Sequence, residues 1–400
     1  MLYRNRCAGG FDPVPHPMKV VVIGAGVAGL GSGWRLAQAG AEVLILERAQ
    51  PAHAATWAAG GMIGVTSELG EAQNSEIQFS RYSNSLWPGF AKEIEAESGQ
   101  SIGYRQDGAL MVAASGEELS GFAARAAADP GLRILSAAET RALSPMLTGE
   151  YAGALWAEKE AHVDSRALGE ALTLAFLRAG GRLETNQAVV RIEIESANNA
   201  GGRPYAGAKD RVGVAATLPA RQQKAVAAHA AYGLFPADAF VIAAGAWSGE
   251  LAAPRVEPVK GEMILLAPPP GAALPAQVVW GNGIYLVPRG GHLLVGATVE
   301  RIGFDTALTD KAADYLFTHA VGLMPGLAKW RLVDHWAGLR PRSADGLPLL
   351  GPTATPNVYL ASGQYRNGIL FAPAIAELIC AMVLDQADPI PAFDPRREGA

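Results

Sequence analysis

The fold is decided by residues 19–30, which read KVVVIGAGVAGL. The β-branched run Val20–Ile23 is typical of a strand buried on both faces, as in a parallel sheet. Glycines then complete the pattern G-x-G-x-x-G, and apolar spacing predicts a helix from Val27 to about Ala39, which Gly40 ends. The stretch therefore predicts a strand, a tight turn and a helix of the nucleotide-binding kind.

Each glycine of this turn has a separate task. Gly24 permits the tight turn, Gly26 lets the backbone approach a pyrophosphate, and Gly29 allows the helix to pack closely on the strand. A second strand, 41–47, ends in Glu47, where a carboxylate accepts hydrogen bonds from ribose hydroxyls and disfavours a 2′-phosphate. The unit predicts FAD or NAD and argues against NADP.

Length and composition place this unit in a larger globular protein. A chain of 400 residues exceeds one ordinary hydrophobic core, so two domains are expected. Half of the residues are apolar and 18% are charged, as in well-buried enzymes. The net charge of −5 gives no electrostatic case for binding nucleic acid or an anionic membrane.

Cysteines, histidines and apolar runs exclude further classes. Cys7 and Cys380 lie far apart and the histidines show no ligand spacing, so neither a disulfide framework nor a metal site is expected. Residues 1–17 lack the apolar core of a secretory signal and are expected to form a flexible tail. The apolar stretch 368–384 carries Glu377 and predicts a helix of the fold, not a membrane span. These features favour the cytoplasm.

Four further segments carry a resemblance to a known family. They are 56–64 (TWAAGGMIG), 240–248 (FVIAAGAWS), 336–346 (WAGLRPRSADG) and 363–369 (GQYRNGI). In order and spacing these blocks resemble the D-amino acid oxidase family of FAD-dependent oxidoreductases, over nearly the whole chain. The nearest branch is that of the glycine oxidases associated with thiamine biosynthesis.

Two more segments have the character of that branch. They are Tyr285–Arg289 (YLVPR) and Leu294–Thr298 (LVGAT). Gln364 departs from a His often found at its position. Because neither cysteine falls in a segment that would contact flavin, we expect dissociable, non-covalent FAD.

The resemblance implies a fold that is α/β and α+β. A Rossmann-like FAD-binding domain, similar to that of glutathione reductase, would comprise 18–95, 155–250 and 336–391. A second, substrate-binding domain with an antiparallel sheet would comprise 96–154 and 251–335. The stretch 196–235 is longer than a strand connection needs and is expected to hold an extra hairpin or a mobile insertion.

Local patterns predict further elements. The sequence predicts a helix from Ser165 to Ala179 capped by Asp164, strands at 188–195 and 239–245, and neighbouring strands at 278–287 and 292–299 joined by a turn at Arg289-Gly290-Gly291.

The resemblance also implies the residues of the site. The cofactor would be held by Gly24, Gly26, Val27, Ala28, Gly29, Glu47, Arg48, Thr56, Ala59, Gly60, Gly61, Met62, Val190, Ala244, Gly245, Trp247, Arg340, Arg366, Asn367, Gly368 and Ile369. The substrate would be held by Met62, Tyr285, Val299, Arg340 and Arg366.

Arg340 and Tyr285 are the candidate catalytic residues. The rigid guanidinium fork of Arg340 matches two carboxylate oxygens, and its ordinary alternative is a structural ion pair. Tyr285 would donate to the same carboxylate, and its alternative is a core tyrosine. Arg366 would lie at the pyrimidine edge of the flavin or at the pocket mouth, or would form a salt bridge where the last helix starts. Val299 stands where the branch often has Met, which leaves room for a substrate larger than glycine.

The implied function is FAD-dependent oxidative deamination of glycine or a small D-amino acid. Hydride would pass from the substrate Cα to flavin N5, the imine would hydrolyse to the 2-oxo acid and ammonia, and O2 would be reduced to H2O2. The first alternative is a dehydrogenase acting on a D-amino acid or a secondary amine, with a quinone or another carrier in place of O2. A non-catalytic flavoprotein and an NAD-only dehydrogenase are weaker alternatives. The sequence leaves the oligomeric state open, a homo-oligomer included.

Overall fold

The computed structural model describes residues 17–66, 74–195, 224–252 and 254–400. Within these ranges the α-helices are α1 (Val27–Gln38), α2 (Ala55–Ala58), α3 (Asn74–Ser98), α4 (Gly116–Ala128), α5 (Ala137–Leu143), α6 (Ser165–Arg178), α7 (Asp310–Leu323) and α8 (Ala372–Leu384). Short 3₁₀ helices span Gly245–Glu250, Pro325–Lys329 and Pro391–Phe393. The tail predicted at 1–17 lies, except for Pro17, outside the described residues.

The strands of the same ranges are numbered in chain order. They are β1 (Lys19–Ile23), β2 (Glu42–Leu46), β3 (Met62–Ile63), β4 (Ala109–Ala113), β5 (Leu132–Ser136), β6 (Gly153–Ala157), β7 (Ala161–His162), β8 (Arg182–Glu184), β9 (Val189–Glu195), β10 (Lys224–Ala230), β11 (Gly233–Pro236), β12 (Ala239–Ile242), β13 (Val256–Ala267), β14 (Val278–Gly281), β15 (Ile284–Arg289), β16 (His292–Gly296), β17 (Arg331–Ser343), β18 (Leu349–Pro352) and β19 (Val358–Ser362).

The glycine-rich unit folds as predicted. After β1 the chain turns at Gly24, whose φ of 103° is unfavourable for any residue with a side chain. A Cβ on Gly29 would overlap the carbonyl oxygen of Gly24, so helix α1 can cross the strand this closely only with glycine there. The turn thus places the N-terminus of α1 at the carboxyl end of β1.

Strand β1 lies inside a six-stranded sheet of order β18-β19-β12-β1-β2-β8. Its pairs are parallel except for β18 with β19. Alternate residues of β1 contribute to two cores: Val20 and Val22 pack with helices α1, α3, α6 and α8, whereas Val21 and Ile23 pack with Ala225 and Ala228 of β10. Coverage on both faces explains why β1 is a continuous apolar run.

A second sheet of eight strands has the order β17-β13-β16-β15-β14-β4-β6-β5. Its pairs are antiparallel except for β14 with β4, which is parallel. Helix α7 packs on one face through Leu316, Ala320 and Leu323. The long strand β17 pairs with β13 along its whole length and crosses the boundary predicted between residues 335 and 336. The division into two domains stays a prediction.

The strand predicted at 278–287 is wrong in one respect. It is two strands, β14 and β15, separated by Asn282 and Gly283 with φ of 50° and 75°. Asn-Gly at two positive φ values is the strongest short hairpin signal, and the continuous apolar pattern on either side concealed it. The next strand, β16, ends at Gly296 and not at 299. The turn predicted at Gly290 and Gly291 is confirmed by φ of 54° and 79°.

Other local predictions are confirmed. Asp164 caps α6 by accepting hydrogen bonds from the amides of Arg166 and Ala167. Part of the long stretch 196–235 forms a hairpin, β10 with β11, which extends β9 into a three-stranded sheet. Residues 196–223 lie outside the described part of the chain. In the described ranges no helix is both long and apolar enough to cross a membrane.

Candidate active site

A cavity of about 790 Å³ is lined by residues from both large sheets. One end is formed by the turn after β1 and the ends of β2 and β12, and the other end by β13, β15 and β17. The carboxyl ends of parallel strands and the seam between two domains are common places for ligand sites. We call these two parts of the cavity the nucleotide end and the substrate end.

Backbone groups dominate the nucleotide end. Gly24, Gly26 and Ala28 line it, and the first turn of α1 contains no acidic side chain. The hydroxyl of Thr56 accepts a hydrogen bond from the amide of Val27 at 2.9 Å, which ties the segment 56–64 to the helix start. The N-cap residue Gly26 has no capping side chain, so the remaining amides of this helix start are free to face a pyrophosphate.

Glu47 is oriented by its own backbone contacts. Its Oε2 accepts from the amide of Ala25 at 2.8 Å, and its Oε1 accepts from the amide of Ala49 at 2.9 Å. The residue is 9% exposed and lines the cavity. Each carboxylate oxygen has a second lone pair, so the fixed carboxylate can still accept from ribose hydroxyls.

Aromatic and cationic side chains lie beside this end. The guanidinium of Arg48 lies 4.2 Å above the ring of Trp247, and Trp247 stacks on Phe304 with centroids 5.3 Å apart. Gly245, with φ of 55°, starts the 3₁₀ helix that carries Trp247. Val190 also lines the cavity, although it is 68% exposed.

The segment 56–64 forms the wall between the two ends. A Cβ on Gly61 would overlap the carbonyl oxygen of Val163, so the chain passes there without a side chain. The buried Arg289 donates to the carbonyl oxygens of Ala59 at 2.8 Å and Gly60 at 3.0 Å. Ala59, Gly60 and Gly61, held from behind, leave little side-chain bulk on the cavity side of this wall.

Arg340 lies on the cavity face of β17. Its Nη1 donates to the carbonyl oxygens of Lys260 at 3.3 Å and Thr298 at 3.1 Å. A Cβ on Gly261 would overlap the guanidinium, so glycine makes room for it. No carboxylate of the described residues lies within salt-bridge distance of Arg340. The structural ion pair that would be its ordinary alternative is therefore not seen in this part of the chain.

Tyr285, on β15, lines the same end of the cavity as Arg340. Its hydroxyl donates to Sδ of Met263 at 3.4 Å, and its ring lies 5.0 Å from that of Trp280. The ring also closes on Gly60, where an added Cβ would be 3.0 Å away. The phenol therefore lies between the wall segment and the side chains of Met263 and Trp280, which form an apolar floor at the substrate end.

Most of the predicted site residues line the cavity, and two do not. Gly29 packs against Gly24, as its predicted role requires, and contributes no cavity surface. Asn367, predicted to bind the cofactor, does not line the cavity, and its Nδ2 donates to Oε1 of Glu76 at 3.0 Å, so its part in cofactor binding stays a prediction. Burial raises the pKa of Glu76, and the hydrogen bond from Asn367 opposes this rise. Arg366 is exposed at the cavity edge, 5.2 Å from the ring of Tyr365.

Sequence reasoning missed several cavity residues. Met263 and Trp280 line the substrate end, and Tyr365 lines its edge. The alternation along β13 could have indicated Met263, since it lies two residues from Gly261 on the same face. Trp280 belongs to the strand that was predicted too long, and its place depends on the missed turn.

The residues present fit a flavin dinucleotide. The nucleotide end offers helix amides and an oriented carboxylate, the wall is rich in glycine and alanine, and the cavity continues to the guanidinium of Arg340. The described residues contain no cluster of His, Cys, Asp and Glu that could hold a metal ion.

Comparisons with known proteins agree with this geometry. A family model described as FAD-dependent oxidoreductase, DAO, matches residues 19–382. The glycine oxidase of Pseudomonas aeruginosa is 32% identical over 94% of this chain and 97% of its own length. The crystal structure of glycine oxidase from Geobacillus kaustophilus has a TM-score of 0.82 at 28% identity, covering 95% of this chain and 99% of that one.

Other relatives are longer than this chain. The bifunctional protein ThiO/ThiG of Nostoc sp. is 31% identical over 93% of this chain, and the match covers 53% of that protein. The chain thus spans about half the length of these curated relatives.

Proposed function

Because the chain belongs to the DAO family of FAD-dependent oxidoreductases, we propose that it oxidises glycine or another small amino acid at the substrate end of the cavity. FAD is its cofactor, and we propose that it is bound without a covalent link. The observation that carries the substrate class is the guanidinium of Arg340, which faces the cavity without an acidic partner among the described residues.

Arg340 would bind the carboxylate of the amino acid. With Nη1 fixed by two carbonyl groups, the rest of the guanidinium can donate to both carboxylate oxygens. Tyr285 would donate its hydroxyl to the same carboxylate, exchanging its weak contact with Met263 for a charge-assisted one. Two donors on one carboxylate fix the direction of the bond to Cα.

The apolar floor would act on the rest of the substrate. Met62, Met263 and Trp280 line this end, and an ammonium group loses water there. Desolvation favours the neutral amine, which is the form that loses hydride from Cα. Bound FAD supplies the hydride acceptor and the route for electrons to O2. Positioning of this kind can contribute roughly 7–11 kcal/mol, so no acid–base pair is required.

The products follow from this reaction class. The amino acid loses two electrons and becomes an imine, which water hydrolyses to the 2-oxo acid and ammonia. We propose O2 as the acceptor, reduced to H2O2, on the support of relatives named glycine oxidase. A dehydrogenase with a quinone or another carrier is the second candidate, and rapid H2O2 formation would separate the two. Cytoplasmic location and homo-oligomer formation stay predictions from the sequence.

Val299 would widen the choice of substrate. It lines the cavity and is 48% exposed, so it lies at the mouth, where an added N-methyl or Cα-methyl group could fit. We therefore propose that sarcosine and D-alanine are accepted beside glycine. The relatives named ThiO/ThiG favour a role in thiamine biosynthesis for the glycine reaction.

Oxygen consumption and H2O2 formation test this proposal together. The purified FAD protein is given glycine, sarcosine, D-alanine and, as matched control, L-alanine. Turnover of at least one of the first three, with H2O2 equal to the O2 consumed and little turnover of L-alanine, is expected. If flavin is reduced by these amines without H2O2, the dehydrogenase is favoured, and if none reduces it, the substrate class is wrong.

A further inference from the structure

Two charged side chains lie fully inside the second sheet, outside the cavity. Lys260 is 1% exposed and Glu262 is 0% exposed, and both belong to β13. Burying a charged pair costs solvation that the attraction between the charges offsets only in part, and apolar replacements are often as stable. Stability alone is thus a weak reason for this pair, and its position suggests a different one.

Strand alternation puts the pair directly behind the substrate end. Gly261 and Met263 face the cavity, whereas Lys260 and Glu262 point to the reverse face of the same strand. On β17 the same alternation separates Arg340, on the cavity face, from His335. One of the two carbonyl groups that hold Arg340 therefore belongs to Lys260, whose own charged side chain points away from the cavity.

Glu262 is the centre of this cluster. Its carboxylate accepts from Nζ of Lys260 at 2.8 Å, and its Oε2 lies 2.8 Å from Nε2 of His335. It also accepts from the amide of Thr309 at 3.0 Å and from the hydroxyl of Thr309 at 3.2 Å. Burial opposes ionisation, but the hydrogen bonds from Lys260 and Thr309 outweigh it and hold the pKa of Glu262 below its ordinary value.

The cluster fixes the loop of residues 297–309, between β16 and α7, against β13. Nζ of Lys260 donates to the carbonyl of Ala307 at 2.5 Å, and the backbones of Lys260 and Glu300 exchange two hydrogen bonds of 2.9 Å. The amide of Glu262 donates to the hydroxyl of Thr298 at 2.9 Å. The loop is thus attached at both ends to the two residues that carry the buried charges.

The same contacts place the acceptors of Arg340. Nη1 of Arg340 donates to the carbonyls of Lys260 and Thr298, one from β13 and one from the loop. If the loop shifted, the two carbonyls would separate, and the guanidinium would lose the fixed direction that a two-point contact with a carboxylate needs.

We propose that Lys260, Glu262 and His335 are positioning residues, which orient Arg340 by fixing the carbonyl groups of Lys260 and Thr298. This inference rests on the proposed function, in which Arg340 binds the substrate carboxylate. The residues touch neither substrate nor cofactor. Their loss weakens carboxylate binding and leaves the reduction of flavin by bound substrate nearly unchanged.

Glu262→Gln tests the proposal in the FAD-loaded protein. This variant keeps the shape of the side chain and removes its charge, so Lys260 loses its nearer anion and retains only Glu300, whose Oε1 lies 3.8 Å from Nζ. We expect the KM for the substrate amine and the Kd for acetate, a carboxylate without an amine, to rise by the same factor of about 10. The limiting rate of anaerobic flavin reduction changes less than about threefold.

Two sets of variants separate positioning from general support of the fold. Glu257→Gln removes a partly exposed, ion-paired carboxylate of the same strand and should leave the KM unchanged. His335→Gln retains a donor to Glu262 and should keep the KM near that of the wild type, whereas His335→Leu should raise it. If Glu262→Gln does not fold, the double variant Lys260→Met with Glu262→Leu removes both charges together, and it should show the same rise in KM.

Each contrary result has its own meaning. If these variants lower the melting temperature or the FAD content but leave the KM and the acetate Kd unchanged, the cluster only supports the fold and the inference is wrong. If no amino acid reduces the flavin of the wild-type protein, the proposed function is wrong and the inference fails with it. The wild-type experiment therefore separates the two failures.

Discussion

The two ends of the cavity are built in different ways. The nucleotide end consists mostly of backbone from one short stretch, in which the turn at Gly24, the start of α1 and Glu47 follow each other within thirty residues. The substrate end consists of side chains from β13, β15 and β17, which are brought together by strand register. A contiguous pattern can specify the first, whereas the second depends on how distant strands pair.

This difference predicts that a substitution at one end impairs the binding of one ligand and leaves the other ligand bound. A change at the substrate end should affect the amine and leave FAD bound, and a change at the nucleotide end should affect FAD first. Loss of the Arg340 guanidinium should lower kcat/KM the most, and a change at the cavity mouth should lower it the least.

Arg340→Leu should produce the largest effect. Without the guanidinium, the substrate carboxylate is buried with no cation, and kcat/KM should fall about 1000-fold, or about 4 kcal/mol. The FAD content and the visible spectrum should stay those of the wild type. Arg342→Leu, two residues along the same strand, is the control and should retain most of the activity. Loss of FAD in Arg340→Leu would contradict the separation of the two ends.

Gly24→Ala should mainly weaken FAD binding. The added Cβ meets both a φ of 103° and the carbonyl oxygen of Ala243 at 2.5 Å. Strain of about 3 kcal/mol corresponds to a roughly 100-fold rise in the Kd for FAD, measured by fluorescence titration of the apoprotein. Gly40→Ala is the matched control, because φ is 91° there but nothing lies within 4 Å of the new Cβ. Equal FAD affinity in both variants would show that FAD binding does not depend on the geometry of the turn at Gly24.

His162 lies on β7, where it pairs with Met62 of the wall segment. Burial, and then the positive charges of Arg105 and Arg289, lower the pKa of His162 to about 4. Below pH 6.5 the unfolded chain binds a proton that the folded chain does not, so acid destabilises the fold until the pH falls below the folded-state pKa. Between pH 7 and 5 this amounts to about 2 kcal/mol.

His162→Gln removes this proton uptake. The free energy of unfolding in denaturant should therefore fall less between pH 7 and 5 in this variant than in the wild type, by about 2 kcal/mol. His292→Gln, at the first residue of β16, is the control and should show the same fall as the wild type. If the free energy of unfolding falls by the same amount in His162→Gln and in the wild type, the pKa of His162 is not lowered in the folded protein.

Val299→Met should have the smallest effect. A longer side chain at the cavity mouth removes room for a methyl group, so kcat/KM for sarcosine and D-alanine should fall about fivefold relative to glycine, or about 1 kcal/mol. The ratio of the rates, measured in one preparation, checks this. A ratio that does not change would show that Val299 lies too far from the substrate to select it.

The sequence alone was sufficient to predict those elements whose structure depends on residues close to one another along the chain. The strand, turn and helix at 19–38 and the cap at Asp164 follow from local rules, and each is found as predicted. The family resemblance placed Arg340 and Tyr285 at the cavity without any of its geometry.

Local patterns were not sufficient where contacts between distant residues decide. Asn367 and Gly368 are neighbours in one motif, but of these two only Gly368 lines the cavity, and the side-chain amide of Asn367 binds Glu76 of α3 instead. The single strand predicted at 278–287 concealed the position of Trp280. The burial of Lys260 and Glu262 was also not foreseen, since charged residues in a strand ordinarily indicate a solvent face.

The most direct test of the substrate claim is anaerobic addition of glycine, sarcosine and D-alanine to the purified FAD protein, with Arg340→Leu in parallel. We predict that the flavin absorbance of the wild type is bleached by at least one of these amines, and that the variant, equally yellow, is not bleached at the same concentration. Bleaching of both proteins alike would contradict the role of Arg340, and bleaching of neither would contradict the amino acid as substrate.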